Sequence, residues 1–159
     1  MFSTISTITT EQPELINAID TIWVAICAAI IFFMEGGFAL LEAGFVRSKN
    51  TMSIIAKVIV DVVFGGLAFY VLGFGIAYGN SNGWFAFDIG ITTKDLGLGL
   101  TVSNKLFWFI QLGFAIASIS IVSGAVAERM KIWSYAVFVV VFCSILYPVV
   151  ANWVWNPNG

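Results

Sequence analysis

Four long apolar stretches, separated by short polar or glycine-rich breaks, set the pattern of this chain. The first covers residues 21–45, and only Glu35 and Glu42 interrupt it. The second, 52–79, carries Lys57 and Asp61. The third, 106–127, holds no charge and is framed by Lys105 and by Glu128-Arg129. The fourth, 132–155, is apolar apart from Ser134, Ser144 and Asn152, and contains Pro148. Each is long enough to cross a hydrocarbon core of about 30 Å as a helix. The expected fold class is therefore all-α, a polytopic membrane helix bundle with about four transmembrane helices. Residues 1–20 precede it as a tail with Glu11, Glu14 and Asp20 but no Lys or Arg, which excludes a secretory signal peptide.

The breaks between stretches orient the bundle. The link 46–51 is short and basic, so the second helix must return antiparallel to the first. Residues 80–104 are polar and spaced by Gly83, Gly90, Gly97 and Gly99, and begin with Trp84, Phe85 and Phe87, which suit a membrane–water boundary. An ordered extracellular loop, without an independent domain, is expected there. Arg47 and Lys49 lie in the first link and Arg129 and Lys131 in the third, while neither terminal tail has a basic residue. The longer second loop, with Lys94 and Lys105, is less densely basic. The first and third links are therefore expected in the cytoplasm, with both chain ends outside and Trp153 and Trp155 at the external face. Pro148 removes a backbone hydrogen bond and should kink or end the fourth helix near residues 144–147.

Charge inside a bilayer is expensive, which makes the four charged residues within the spans the first candidates for chemistry. Glu35 lies roughly 21 Å from the outer end of its span at about 1.5 Å per residue. Glu42 lies near the other surface and shares a face with Glu35, since the two are seven apart. Lys57 and Asp61, four apart, can pair with each other, or Lys57 can meet Glu42. These groups either touch a substrate or cap and pair to fix helix packing. Ala39 and Ala43 form a small-xxx-small pair, Gly75 and Gly79 repeat at the same spacing, and Gly113, Ala117, Ser120 and Gly124 leave one face of the third helix nearly free of bulk. Phe107 and Phe114 share another stripe with Gln111.

Composition sharpens this picture. Of 159 residues, 60% are hydrophobic and 10% charged, against about 25% charged in soluble domains; the mean hydropathy is +0.98. A net charge of −2 with no basic run gives nucleic acid nothing to bind. Histidine is absent, which removes the commonest metal ligand and near-neutral proton shuttle. Cys27 and Cys143 sit in apolar runs as small hydrophobes, with no CxxC spacing to suggest a disulfide or a metal site. With no nucleophile–base pair and no ligand cluster, neither an enzyme nor a cofactor is expected.

Several segments, in order, resemble the ammonium transporter family, the Amt/Mep/Rh proteins. They are Gly37-Phe-Ala-Leu-Leu-Glu-Ala-Gly-Phe-Val-Arg-Ser-Lys-Asn50 followed by Lys57 and Asp61; Gly73-Phe-Gly-Ile-Ala-Tyr-Gly79; Gln111-Leu-Gly-Phe-Ala115; Ser123-Gly-Ala-Val-Ala-Glu-Arg129; and Trp153-Val-Trp155. The resemblance covers essentially the whole chain. It implies an eleven-helix bundle with an external amino terminus, in which the first five helices are related to the next five by inverted topology. It also implies a homotrimer in which each subunit has its own pore. Residues 21–159 would be the amino-terminal part of that transporter domain.

The family resemblance also implies roles. Trp155 would be the indole of an external aromatic vestibule that attracts ammonium, and Phe114 a ring of the gate below it. Cation–π attraction is worth roughly 0.5 to 2 kcal/mol. It does not distinguish ammonium from potassium, so selection would come from removing a proton at the gate. The twin histidines that assist, and a supporting vestibule aspartate, would lie beyond Gly159. This chain departs from the family at Asn152, often histidine; at Asn156, Pro157 and Asn158, often glycines; and at Ile110, often phenylalanine. The implied function is an ammonium permease in the lipid bilayer, with ammonium or ammonia as its cargo. A PII-type signalling protein at the cytoplasmic exit is a candidate partner. Two alternatives stand beside it: an ammonium-sensing domain fused to a cytoplasmic signalling module, and a four-helix membrane subunit that only assembles with partners.

Overall fold

The computed structural model describes residues 2–84, 86 and 100–159, with side chains from Pro13 onward. The loop expected over 80–104 falls mostly outside the described residues, Phe85, Phe87 and the three later glycines included.

Among the described residues four helices make up the bundle: α1 is Phe2–Phe45, and α2, α3 and α4 are Ser48–Tyr78, Asn104–Ala125 and Ile132–Trp155. The described residues contain no strand, only an isolated antiparallel bridge between Ser81 and Ala86. α1 continues as helix far into the segment expected as a tail, and its membrane-length apolar part begins at Pro13. The physical reason is in the sequence: residues 1–20 contain no glycine, and Pro13 is the only helix breaker among them. α3 is opened by Ser103, whose side chain accepts the Leu106 N–H as an N-cap.

α2 and α4 are not regular α-helices. α2 contains two wide π-type turns, Asp61–Gly65 and Phe69–Gly73, and α4 contains one, Phe142–Leu146. These turns have a packing consequence. Asp61, Gly65, Phe69, Gly73 and Ala77 are all buried and recur every four residues. In a regular helix a four-residue repeat drifts by about 40° per step, whereas turns with more residues hold it on one face. In α4 the wide turn sits just before Pro148: the Tyr147 N–H reaches back to Phe142, and Ser144 Oγ donates to the Val140 carbonyl at 2.6 Å. The proline therefore rewinds the helix instead of ending it, and α4 runs on to Trp155.

The core lies among α2, α3 and α4, with Phe69, Phe74, Tyr78, Leu112, Ile116, Ile119, Tyr135, Val139 and Cys143 packed together. α2 and α4 approach so closely at Gly73 that a Cβ there would lie 2.3 Å from the Cys143 carbonyl oxygen. α1 docks on α3 by a narrow seam. Ala28, Glu35 and Glu42, seven apart, are its buried positions, while Phe33 on the opposite side is 85% exposed. The low-bulk face of α3 meets this seam, and a Cβ on Gly113 would lie 2.6 Å from Ile31 Cγ2.

Candidate functional site

The seam brings the four charged candidates into one buried group at the Arg47 end of the bundle. Glu35 and Glu42 come from α1, and Lys57 and Asp61 from α2; all four are more than nine-tenths buried. Each carboxylate receives one hydroxyl from a neighbouring helix. Ser120 Oγ donates to Glu35 Oε1, Ser123 Oγ to Glu42 Oε2 at 3.0 Å, and the Tyr135 hydroxyl to Asp61 Oδ1 at 2.6 Å. Glu35 Oε2, Glu42 Oε1 and Asp61 Oδ2 are buried with no hydrogen-bond partner among the described residues.

The lysine forms neither of the ion pairs open to it from the sequence, with Asp61 or with Glu42. Among the described residues the ion pair within 4.0 Å is Arg47 with Glu128, and Lys57 Nζ instead donates to the Val126 carbonyl at 3.3 Å and lies 5.1 Å from the centre of the Tyr135 ring. Helix side chains lean toward the helix N-terminus, so the long Lys57 stem points away from Asp61 and toward the α3–α4 link. The hydroxyls of Ser120, Ser123 and Tyr135 were the partners not anticipated for the carboxylates. The i, i+3 pair Ser120 and Ser123 on the low-bulk face of α3 was the available signal.

The two links at this end are clipped together by Glu128, which adopts a left-handed backbone with φ 61°. Its Oε1 accepts from Asn50 Nδ2 at 2.7 Å and from the Arg47 backbone N–H at 3.1 Å. The Arg47 guanidinium lies 3.3 Å from Oε2. The bonds from Asn50 and Arg47 lower the Glu128 carboxyl to about 2.

The opposite end is held by amides. Asn152 Nδ2 donates to the Ala77 carbonyl at 3.0 Å, and its Oδ1 accepts from Ser81 Oγ at 2.9 Å. Asn156 Nδ2 donates to the carbonyls of Ala77 and Gly79, and Trp153 Nε1 donates to the Trp84 carbonyl at 2.6 Å. Two of the three positions where the sequence carries asparagine in place of the family's usual residue thus tie the end of α4 to the end of α2. Trp155 stands beyond them, 70% exposed, and Phe114 is 45% exposed on α3, roughly 15 Å down the helix from Asn104. Neither ring pairs with another aromatic among the described residues. Phe107, seven residues before Phe114, is instead drawn into the core against Phe74 and Tyr78, with centroids 6.1 and 4.9 Å away.

Four apolar helices of membrane length, with their intramembrane charges turned inward and exposed tryptophans at both ends, Trp133 at one and Trp153 and Trp155 at the other, define an integral, multi-pass membrane protein. The sequence profile of the Ammonium Transporter Family matches residues 22–159. The chain belongs to that family. It is 37% identical over 153 residues to ammonium transporter Amt2 of Archaeoglobus fulgidus, covering 92% of this chain and 30% of that protein. It is 38% identical over 154 residues to ammonium transporter 1 member 3 of Solanum lycopersicum, covering 93% and 32%. Among solved structures, a sensor Amt protein superposes with a TM-score of 0.80 at 34% identity, over 87% of this chain and 34% of that one. Mep2 of Candida albicans shares the fold at a TM-score of 0.77 and 22% identity, over 88% and 32%. The chain thus spans about a third of the length of the curated relatives it matches.

Proposed function

We propose that this chain supplies the amino-terminal helices of an ammonium permease, with the Arg47 end in the cytoplasm and the Trp155 end outside. Residues 1–20 are then the external lead-in, and 21–159 the first part of the transporter domain. Trp155 recruits ammonium by cation–π attraction, Phe114 forms part of the gate beneath, and ammonia is conducted after deprotonation by a pore completed by later helices. Glu35, Glu42, Lys57 and Asp61 fix the packing that carries these rings. The complete protein assembles as a homotrimer, and a PII-type protein is the candidate partner at its cytoplasmic exit. The observation that carries this reading is the exposed indole of Trp155, held on an amide-anchored helix end.

Uptake of ammonium by the complete protein carrying Trp155→Leu or Phe114→Ala tests it. Losing a cation–π contact of roughly 0.5 to 2 kcal/mol should weaken apparent affinity by about 2- to 30-fold in the Trp155 variant. Unchanged ammonium selectivity in both variants removes these assignments. A second reading is favoured by the likeness to a sensor Amt protein: the same helices detect ammonium and pass the signal to a fused cytoplasmic module. A kinase or cyclase domain in the complete reading frame, with signalling output that responds to ammonium in the absence of flux, would select it.

A further inference from the structure

The charged group at the Arg47 end is unbalanced. Three buried carboxyl groups, Glu35, Glu42 and Asp61, share this part of the bundle with a single buried amine, that of Lys57. A carboxyl group at bilayer depth is either protonated or needs a cation beside it, and one amine cannot serve three. Glu42 is the member that adjoins a cavity. Its Oε2 is fixed by Ser123, and its Oε1 has no hydrogen-bond partner among the described residues. A Cβ on Gly124 would lie 4.0 Å from that oxygen, so the glycine leaves room beside it. Glu42 and Gly124 line a cavity of about 190 Å³ that is completed by Phe45, Val46, Ala127 and Glu128. A water needs about 10–15 Å³ of such space, so the cavity has room for a small hydrated cation. Glu128 does not compete for it, since both its oxygens are engaged by Arg47 and Asn50.

We propose that Glu42 Oε1 and this cavity form a binding site for a small hydrogen-bond-donating monocation, either a proton or ammonium, at the Arg47 end. The ammonium form rests on the transport reading above; the proton form does not. An N–H or O–H donor satisfies the open carboxylate oxygen, which potassium cannot do by hydrogen bonding. The groups acting electrostatically on Glu42 are Lys57 and Asp61 of α2, Tyr135 of α4 and Glu35 of its own helix. Glu128 lies across the cavity with its Arg47 partner.

Infrared difference spectroscopy on the complete protein in lipid vesicles tests the site. One titration adds acid in potassium chloride; the other replaces potassium with ammonium at fixed pH. A saturable carboxyl signal is expected that is lost in Glu42→Gln, retained in Glu35→Gln and altered in Gly124→Val, which fills the space beside Oε1. A signal that follows acid alone assigns the proton, and one that follows ammonium but not potassium assigns ammonium. Identical spectra from wild type and a folded Glu42→Gln protein in both titrations overturn the proposal. Should that variant fail to fold, a Gly124→Val spectrum indistinguishable from wild type overturns it. Uptake measured in the same vesicles separates the two claims: a Glu42 signal without uptake removes the transport reading and keeps the site, and uptake without the signal does the reverse.

Discussion

The α2–α4 interface and the α1–α3 seam are both built from small residues, yet they solve opposite problems. Between α2 and α4, backbone meets backbone at Gly73 and Cys143, and the amides of Asn152 and Asn156 are spent on carbonyls of the facing chain. Along α1–α3 the small residues make room for carboxylates. Ser120 and Ser123 each satisfy one oxygen, and the other oxygen is left open. Glycine therefore marks a closed contact in one place and a space beside a charge in the other. A small-xxx-small pattern reports that something approaches closely, without saying whether it is a backbone or a polar side chain.

Substitutions can break this comparison, beginning with the largest effect. Gly73→Ala places a methyl group against a backbone oxygen that cannot rotate away, so destabilisation should reach or exceed the upper end of the roughly 1–3 kcal/mol seen on overpacking. Thermal unfolding in detergent checks it; a melting temperature equal to wild type would mean the two helices are not held together there. Gly113→Ala meets a side chain on a peripheral helix, so a cost nearer the bottom of that roughly 1–3 kcal/mol range is expected. Adding Ile31→Val does not relieve it, because Cγ2 remains, whereas adding Ile31→Ala should restore most of the loss. Rescue by Val and not by Ala would contradict the contact. Gly124→Ala, with its methyl in ordinary contact with Glu42, should change stability by less than about 0.5 kcal/mol.

The smallest effect belongs to the clip between the links. Because folding lowers the Glu128 carboxyl to about 2 from an ordinary value of 4.5, its contribution is complete above the unfolded value. It fades as the pH falls through about 2. Glu128→Gln should therefore melt slightly below wild type at neutral pH, with the gap closing in acid and shrinking at high salt, since the ion pair is exposed to solvent. A gap that stays constant over that range would assign the effect to replacing an acceptor oxygen by an amide nitrogen and not to charge.

Much of this was legible in the residues. The four spans, the antiparallel return through the basic links and the low-bulk face of α3 all follow from apolar length and spacing. The burial of Glu35 and Glu42 on one face was legible too, since a seven-residue step returns to the same side of a helix. The length of α1 was not, because its first turns are rich in Ser, Thr and Ile and carry Pro13, a composition with little helix preference of its own. The partners of Lys57 were also hidden: sequence spacing gives Cβ neighbours but not the direction in which a long side chain leans. The wide turns were half visible, since Asp61, Gly65, Phe69, Gly73 and Ala77 keep a four-residue beat that a regular helix cannot hold on one face. The roles of Trp155 and Phe114 rest on resemblance, because an exposed indole and an exposed phenyl ring look alike to packing whether they face lipid or a pore.

Those wide turns bear on how the chain tolerates changes in its own length. A π-type turn holds about one residue more than an α-turn closing the same circuit. Removing one residue within Asp61–Gly65, Phe69–Gly73 or Phe142–Leu146 would let that turn relax to an ordinary one while the helix on either side keeps its facing. The same deletion in α3, which is regular throughout, would swing everything beyond it by about 100°. α2 and α4 thus carry slack at three defined points, and α3 carries none within its regular span.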